Sequence, residues 1–251
     1  MESTMVYVVS HKIEEDNLDN GYRYLHVGEK CQELKLFCDN VGDNIAQKNS
    51  NYCELTALYW MWKNTNYDNI GLVHYRRFFL QKCSNIFKYH YLKVESINSI
   101  LEKYDIIVPK IYKCKETIYQ NYSKHHYGED LDSIRKIIDE YHHEYLNDFD
   151  YVMYKQKKFY TRNMFIGKKK YIDEYCQWLF DILFKFESVV DFSSRNDYQK
   201  RIFGFLSERM FNVWLYHNKL KIKEVRIGFT HLSPFVDSCR RVASKFVQLF
   251  R

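Results

Sequence analysis

The chain has 251 residues, 46% of them hydrophobic, and a formal net charge of +6. That apolar content supplies a substantial core and excludes global disorder, and the length suits one large α/β domain. The charge excess is mild and spread along the chain, so it suits an anionic ligand or an anionic membrane face without requiring nucleic acid.

Aromatic residues reach 18%, and part of that excess is expected to line a site, because Tyr joins an apolar ring to a polar tip. The cysteines are Cys31, Cys38, Cys53, Cys83, Cys114, Cys176 and Cys239, with no C-x-x-C pair. They read as free thiols in a reducing cytosol. Met1–Val9 lacks a basic region followed by a long apolar run, so neither a signal peptide nor a membrane span is expected.

In chain order, Met5–Ser10 reads as a first strand and Tyr24–Gly28 as a short second one. The polar loop Gly42–Asn51 leads into a helix over Tyr52–Lys63, with Leu55, Leu58, Tyr59 and Trp62 on one face. Asn51 with Glu54 three residues later has the form of a capping box. Ile70–Val73 is a buried strand that runs into His74, Arg76 and Arg77. Ile97–Lys103 reads as helix, Tyr104–Pro109 as strand, and Leu131, Ile134, Ile138 and Tyr141 mark a helix from near Glu129. Asn163–Gly167 is a strand, Tyr171–Phe186 a well-buried helix, Phe203–Tyr216 a further helix, and Lys221–Phe229 an alternating edge strand.

Strands separated by helices predict an α/β fold with a mainly parallel sheet. With two prolines and no Pro/Gly/Ser-rich linker, one domain over 1–238 is expected. Residues 239–251 form a basic amphipathic tail that either docks on the body or lies on an anionic membrane.

A strand needs no cations at its end. In open α/β sheets ligands bind at the carboxyl ends of strands, and guanidiniums there suit phosphate. The competing reading pairs Arg76 and Arg77 with carboxylates or leaves them in solvent. The loop carrying Asp43, Asn44, Lys48 and Asn49 precedes a helix N-terminus, which favours an anion; the plainer reading is a capped helix. His125, His126 and Asp130 form a polar cluster that either binds acceptor hydroxyls or caps a helix, and the strand starting at Asn163 leads to a further loop at the ligand edge. No Walker A, G-x-G-x-x-G or G-x-S-x-G motif occurs, which argues against ATPase, dehydrogenase and hydrolase chemistry.

Several segments taken together resemble one family: Gly42-Asp43-Asn44-Ile45, Lys48-Asn49, Tyr52 to Trp60, Trp62-Lys63-Asn64, Ile70 to Arg77, and Gly204-Phe205-Leu206-Ser207-Glu208-Arg209. They are similar to a bacterial glycosyltransferase family of capsular and exopolysaccharide clusters, long described only as a domain of unknown function. Some of its members are galactofuranosyltransferases. The resemblance covers about Val6 to Tyr216. It implies a GT-A-like, Rossmann-like nucleotide-sugar fold, cytosolic on the inner membrane face, transferring a sugar from a donor such as a UDP-sugar to a lipid-linked oligosaccharide. Roles carry over only to the matching positions Asp43, Asn44, Lys48, Asn49, His74, Arg76, Arg77 and Glu208; all but Glu208 are assigned to the donor.

Many GT-A enzymes end the corresponding strand in Asp-x-Asp, which holds a divalent cation against the diphosphate. His74-Tyr75-Arg76 stands here instead, and guanidiniums repel Mg²⁺ or Mn²⁺. Metal-independent transfer is therefore favoured, with a metal held by carboxylates elsewhere left open. Glu208, beside Phe211 and Leu215 on its helix, is the candidate base, with Asp197 in reserve; the competing role for Glu208 is an ion pair with Arg209, Arg201 or Arg195. His126, Asp130 and Asn163 are assigned to the acceptor. A nucleic-acid-binding module and a non-catalytic carbohydrate-binding scaffold are the competing function classes.

Overall fold

The computed structural model describes residues 3–13, 18–28, 36–81 and 90–229. The tail, residues 239–251, lies outside the described residues.

The chain opens with β1 (Thr4–Ser10) and β2 (Tyr22–His26), followed by α1 (Asn49–Tyr52), α2 (Leu55–Asn64), β3 (Asn69–His74) and β4 (Arg77–Phe79). Next come α3 (Val94–Leu101), β5 (Ile106–Pro109), β6 (Tyr112–Lys113), α4 (Ile118–Ser123), α5 (Gly128–Tyr141), α6 (Leu146–Lys155) and β7 (Lys158–Phe159). β8 (Phe165–Lys168), α7 (Lys169–Glu187), α8 (Ile202–Asn218), β9 (Ile222–Val225) and β10 (Ile227–Phe229) follow.

β1 lies between β2 and β3 and is parallel to both. β8 is antiparallel to β3 on one side and to β5 on the other, and β9 runs parallel to β5. β4 folds back from β3 and pairs with β10. The sheet is therefore mixed, with β8 inserted antiparallel between two parallel blocks. This brings the ends of β1 and β3 and the start of β8 to one edge. Gly71 on β3 permits the close approach of β8: a Cβ there would stand 2.7 Å from Ile166 Cγ1.

Side-chain alternation along the strands builds a core on each face. Tyr7, Val9, Ile70, Leu72, Ile106 and Val108 join the larger core with α2, α5, α6, α7 and α8. Val6, Val8, Val73 and Ile107 join the smaller one with Ile97 and Leu101 of α3.

Four expectations need correction. The loop expected at the ligand edge after the Asn163 strand is instead the turn before it, because β8 runs antiparallel to β3. The helix expected over Tyr52–Lys63 is broken at Cys53, whose φ of 54° ends α1 and lets α2 restart. The capping box is absent: Asn51 Nδ2 donates to the Lys200 carbonyl, and no side chain caps α2. The edge strand expected over Lys221–Phe229 is two strands split at Arg226, because β9 follows β5 whereas β10 follows β4.

Candidate functional site

A cavity of about 530 Å³ opens at the edge where β1 and β3 end. Val9 reaches it from β1 and His11 from just beyond it, and His74, Tyr75, Arg76 and Arg77 from the end of β3 and the turn into β4. Asn49, Cys53 and Glu54 come from the α1–α2 break, Arg162 from the turn before β8, and Arg201, Gly204, Phe205 and Glu208 from the start of α8.

His74 donates from Nε2 to the Arg162 carbonyl at 2.6 Å, a bond that fixes its tautomer because a carbonyl can only accept. Burial pushes its pKa down, and Arg77 and Arg162 add to the effect against the opposing pull of Glu54 and the Arg162 carbonyl. The ring is therefore neutral at pH 7. Arg76 is exposed and lies 4.8 Å from the Tyr75 ring centroid. Arg77 is half-buried, and its Nε has no hydrogen-bond partner among the described residues. Neither arginine makes an ion pair among the described residues, so both charges are available to an anion.

Two carboxylates face these cations. Glu208, whose side chain is 22% exposed, accepts from the Arg162 N–H at 2.8 Å on one oxygen and from Arg209 Nη1 at 3.1 Å on the other. Burial raises its pKa, as does Glu54, while Arg209 and the Arg162 amide hold it down. Glu208 makes the ion pair of the competing reading, with Arg209, and also lines the cavity. Glu54 accepts from Asn163 Nδ2 at 2.7 Å. Asn163 is itself buried, donating also to the Gly204 carbonyl and accepting from Ser207 Oγ. Arg162 and Asn163 both have left-handed backbones, φ 80° and 47°, so the turn into β8 is tight. Such conformations cost free energy and cluster at functional sites.

Cys53 also lines the cavity. Arg201 Nε donates to its Sγ at 3.2 Å. Burial raises the thiol pKa, and Glu54 adds to the rise against Arg201, so it stays protonated at neutral pH.

Asn49, His74, Arg76, Arg77 and Glu208 therefore converge, whereas the other sequence candidates do not line the cavity. Asp43 accepts from the Tyr59 hydroxyl, and Asn44 bonds within its own loop. Lys48 pairs with Glu187 at 2.5 Å and lies against Tyr52 and Phe184. Asp130 is consumed by a buried pair with Arg195 at 2.5 Å, which corrects its acceptor assignment. Asp197 is fully exposed beside Lys200, which removes the ground for it as a reserve base. Asn163 lies beneath the cavity floor and holds Glu54. His126 packs against Phe205 from outside the cavity. Glu54, Arg162 and Arg201 are lining charges that the sequence did not assign to the site. Glu54 entered the sequence reading as a capping-box residue within the family-like segments, and Arg201 only as a candidate ion-pair partner for Glu208.

The family model described as a domain of unknown function, DUF4422, matches residues 5–219. Among curated proteins, none matches the chain. The chain is similar to a solved structure described as the apo form of the WbbM bifunctional glycosyltransferase, with 29% identity and a TM-score of 0.82. That similarity covers 92% of this chain and 46% of the other, so the chain spans about half the length of that protein.

Proposed function

The chain belongs to the DUF4422 family, and from that premise we propose that it is a glycosyltransferase that moves a hexosyl unit from a nucleotide-sugar donor to a glycan acceptor. The observation that carries this reading is one cavity holding the guanidiniums of Arg76 and Arg77, which make no ion pair among the described residues, together with the Glu208 carboxylate. The WbbM protein is named a bifunctional glycosyltransferase, and its fold over the shared half supports the same class here.

In this reading the donor diphosphate lies against Arg76 and Arg77, with Arg162 behind them. As the bond from the sugar's anomeric carbon to the diphosphate breaks, negative charge develops on the leaving oxygen, and pre-placed cations stabilise it without reorganising. The acceptor oxygen forms the new bond to the same carbon, and its proton passes to Glu208 as general base. A raised carboxylate pKa strengthens that base, provided it remains ionised. Neutral His74 donates to the Arg162 carbonyl and so steadies the turn that presents the Glu208-bound amide.

The donor proposed is a UDP-sugar, with UDP-galactofuranose among the candidates. The acceptor proposed is a lipid-linked oligosaccharide of capsular or exopolysaccharide synthesis on the cytoplasmic membrane face. Cationic groups at the end of β3 favour metal-independent transfer. The deciding experiment incubates the protein with a panel of UDP-, GDP- and CDP-sugars and a lipid-linked acceptor. Transfer from one donor supports the reading, and an absence of both nucleotide binding and transfer refutes it. Peripheral membrane contact through residues 239–251 is tested by deleting them and measuring co-sedimentation with anionic liposomes.

A further inference from the structure

Phe205 lies one helical turn before Glu208 on α8 and lines the cavity. It is the innermost member of a ring cluster. The His126 imidazole stacks on it, with centroids 4.0 Å apart and planes 23° apart. Tyr198 adjoins both, 5.1 Å from Phe205 and 5.9 Å from His126, and is 53% exposed. The cluster is rigidly held. Gln199 donates to the His125 carbonyl at 2.8 Å, and its side-chain oxygen lies 3.1 Å from His126 Nδ1. An amide oxygen can only accept, so Nδ1 carries the proton and Nε2 keeps a lone pair. Burial lowers the His126 pKa to about 4, so the ring is uncharged at neutral pH.

We propose that Phe205 and Tyr198, backed by His126, form an acceptor subsite on which the apolar face of a neutral sugar residue stacks. This rests on the glycosyltransferase reading above.

Position argues for the acceptor over the donor's nucleobase. Residues three apart on a helix have Cβ atoms only about 5–6 Å apart, so Phe205 stands beside the proposed base. The attacking hydroxyl must come to that base, and its own sugar ring then lies within reach of Phe205. A nucleobase is separated from the reacting carbon by a ribose and a diphosphate, too far for the same ring. Charge argues the same way. The turn after β3 offers uncompensated cations, whereas these rings are themselves uncharged, with the Arg201 guanidinium 5.9 Å from the Phe205 ring centre as the nearby cation, and they form an amphipathic surface of the kind that receives a ligand with one apolar face. The lone pair on His126 Nε2 can accept from a hydroxyl at the rim.

The test uses wild-type protein, Phe205→Leu and Phe205→Tyr, with methyl β-galactopyranoside and methyl β-galactofuranoside as glycan probes and UDP as the donor probe. Leucine keeps an apolar side chain but has no ring face; tyrosine keeps the ring and controls for folding. Saturation-transfer NMR and calorimetry are expected to show glycoside binding weakened about tenfold or more in Phe205→Leu and retained within about threefold in Phe205→Tyr. UDP affinity should be unchanged in both. The proposal is overturned if wild-type protein binds neither glycoside, or if Phe205→Leu weakens UDP while sparing the glycosides, which would make this ring a nucleobase platform. If wild-type protein binds a glycoside in the expected pattern but no nucleotide, the transferase reading fails and the sugar subsite stands.

Discussion

Replacing Glu208 with glutamine removes the proposed base with the smallest change of shape. The carboxylate accepts from two fixed donors, the Arg162 N–H and Arg209 Nη1, one on each oxygen. Glutamine has one acceptor oxygen, so its NH₂ must face one of those donors. An unsatisfied buried donor costs about 1–3 kcal/mol. Arg209, with a side chain only 7% exposed, also loses its counter-charge, and breaking a buried pair costs about 3–5 kcal/mol. A cost of about 3 kcal/mol lowers Tm by roughly 6–12 °C in a domain this size. Turnover must therefore be measured below both midpoints and per folded molecule. Loss of a general base lowers it by about 10²–10⁴-fold, with donor affinity by calorimetry unchanged. In wild-type protein the rate should rise with pH through the raised pKa of Glu208, since only the ionised form accepts the proton, and Glu208→Gln should abolish that limb. Folded Glu208→Gln protein that turns over within a few-fold of wild type would refute the role.

Three further outcomes are expected. Arg77→Ala should weaken donor binding by about tenfold or more, the scale of a lost charge-assisted hydrogen bond, while excess EDTA leaves transfer unchanged; loss in EDTA with rescue by Mn²⁺ would show that a metal shares the diphosphate. Asn163→Ala should destabilise the fold by about 1–3 kcal/mol in a denaturant titration, because the Glu54 carboxylate loses its Asn163 donor, while Ser207 Oγ keeps its bond to the Gly204 carbonyl, and it should lower turnover as Glu54 loses its support; an unchanged midpoint would count against that network. Asp39 is buried, neither of its carboxylate oxygens has a hydrogen-bond partner among the described residues, and the neighbouring Thr56 hydroxyl donates to the Cys53 carbonyl. Burial lifts its pKa from 3.8 to about 6. The folded state therefore holds that proton more tightly, and this stabilisation, present below about pH 4, is lost as pH rises through about 6, a fall of about 3 kcal/mol. Asp39→Asn should be the more stable protein at pH 8 and lose that advantage at pH 4, and parallel Tm profiles for the two proteins would contradict the assignment.

The end of β3 was legible because an uninterrupted apolar run stops abruptly at His74 and two arginines. Glu208 was legible from its helix face. Glu54 was misread because a capping box presupposes a continuous helix, and the break at Cys53 depends on a left-handed residue that no local pattern announces. Arg162 belongs to no motif; its amide reaches Glu208 only through the Arg162–Asn163 turn. Lys48 and Asp130 looked available because their partners, Glu187 and Arg195, are remote in sequence. The spacing Phe149, Val152, Met153 carries a helical signal for α6, but Asn147, Asp148 and Asp150 give the segment the look of a loop. β4, β6 and β7 are only two or three residues long and exist through their pairings, so no single-segment pattern could mark them.

The antiparallel course of β8 has a consequence for how this site can change. The cavity combines the exits of β1 and β3 with the entrance of β8, so the distance from Arg77 to Arg162 is set by how β8 is threaded against its neighbour. Slipping that pairing by one residue would carry Arg162 and Asn163 about 3.3 Å along the strand and exchange the faces of β8. The Arg162 amide would then leave Glu208, and Asn163 would leave Glu54, in a single movement. Gly71, which admits Ile166 at one register, thereby fixes two carboxylates that it never touches. Substitutions at this glycine should disturb both carboxylates together, whereas substitutions within the cavity can alter each separately.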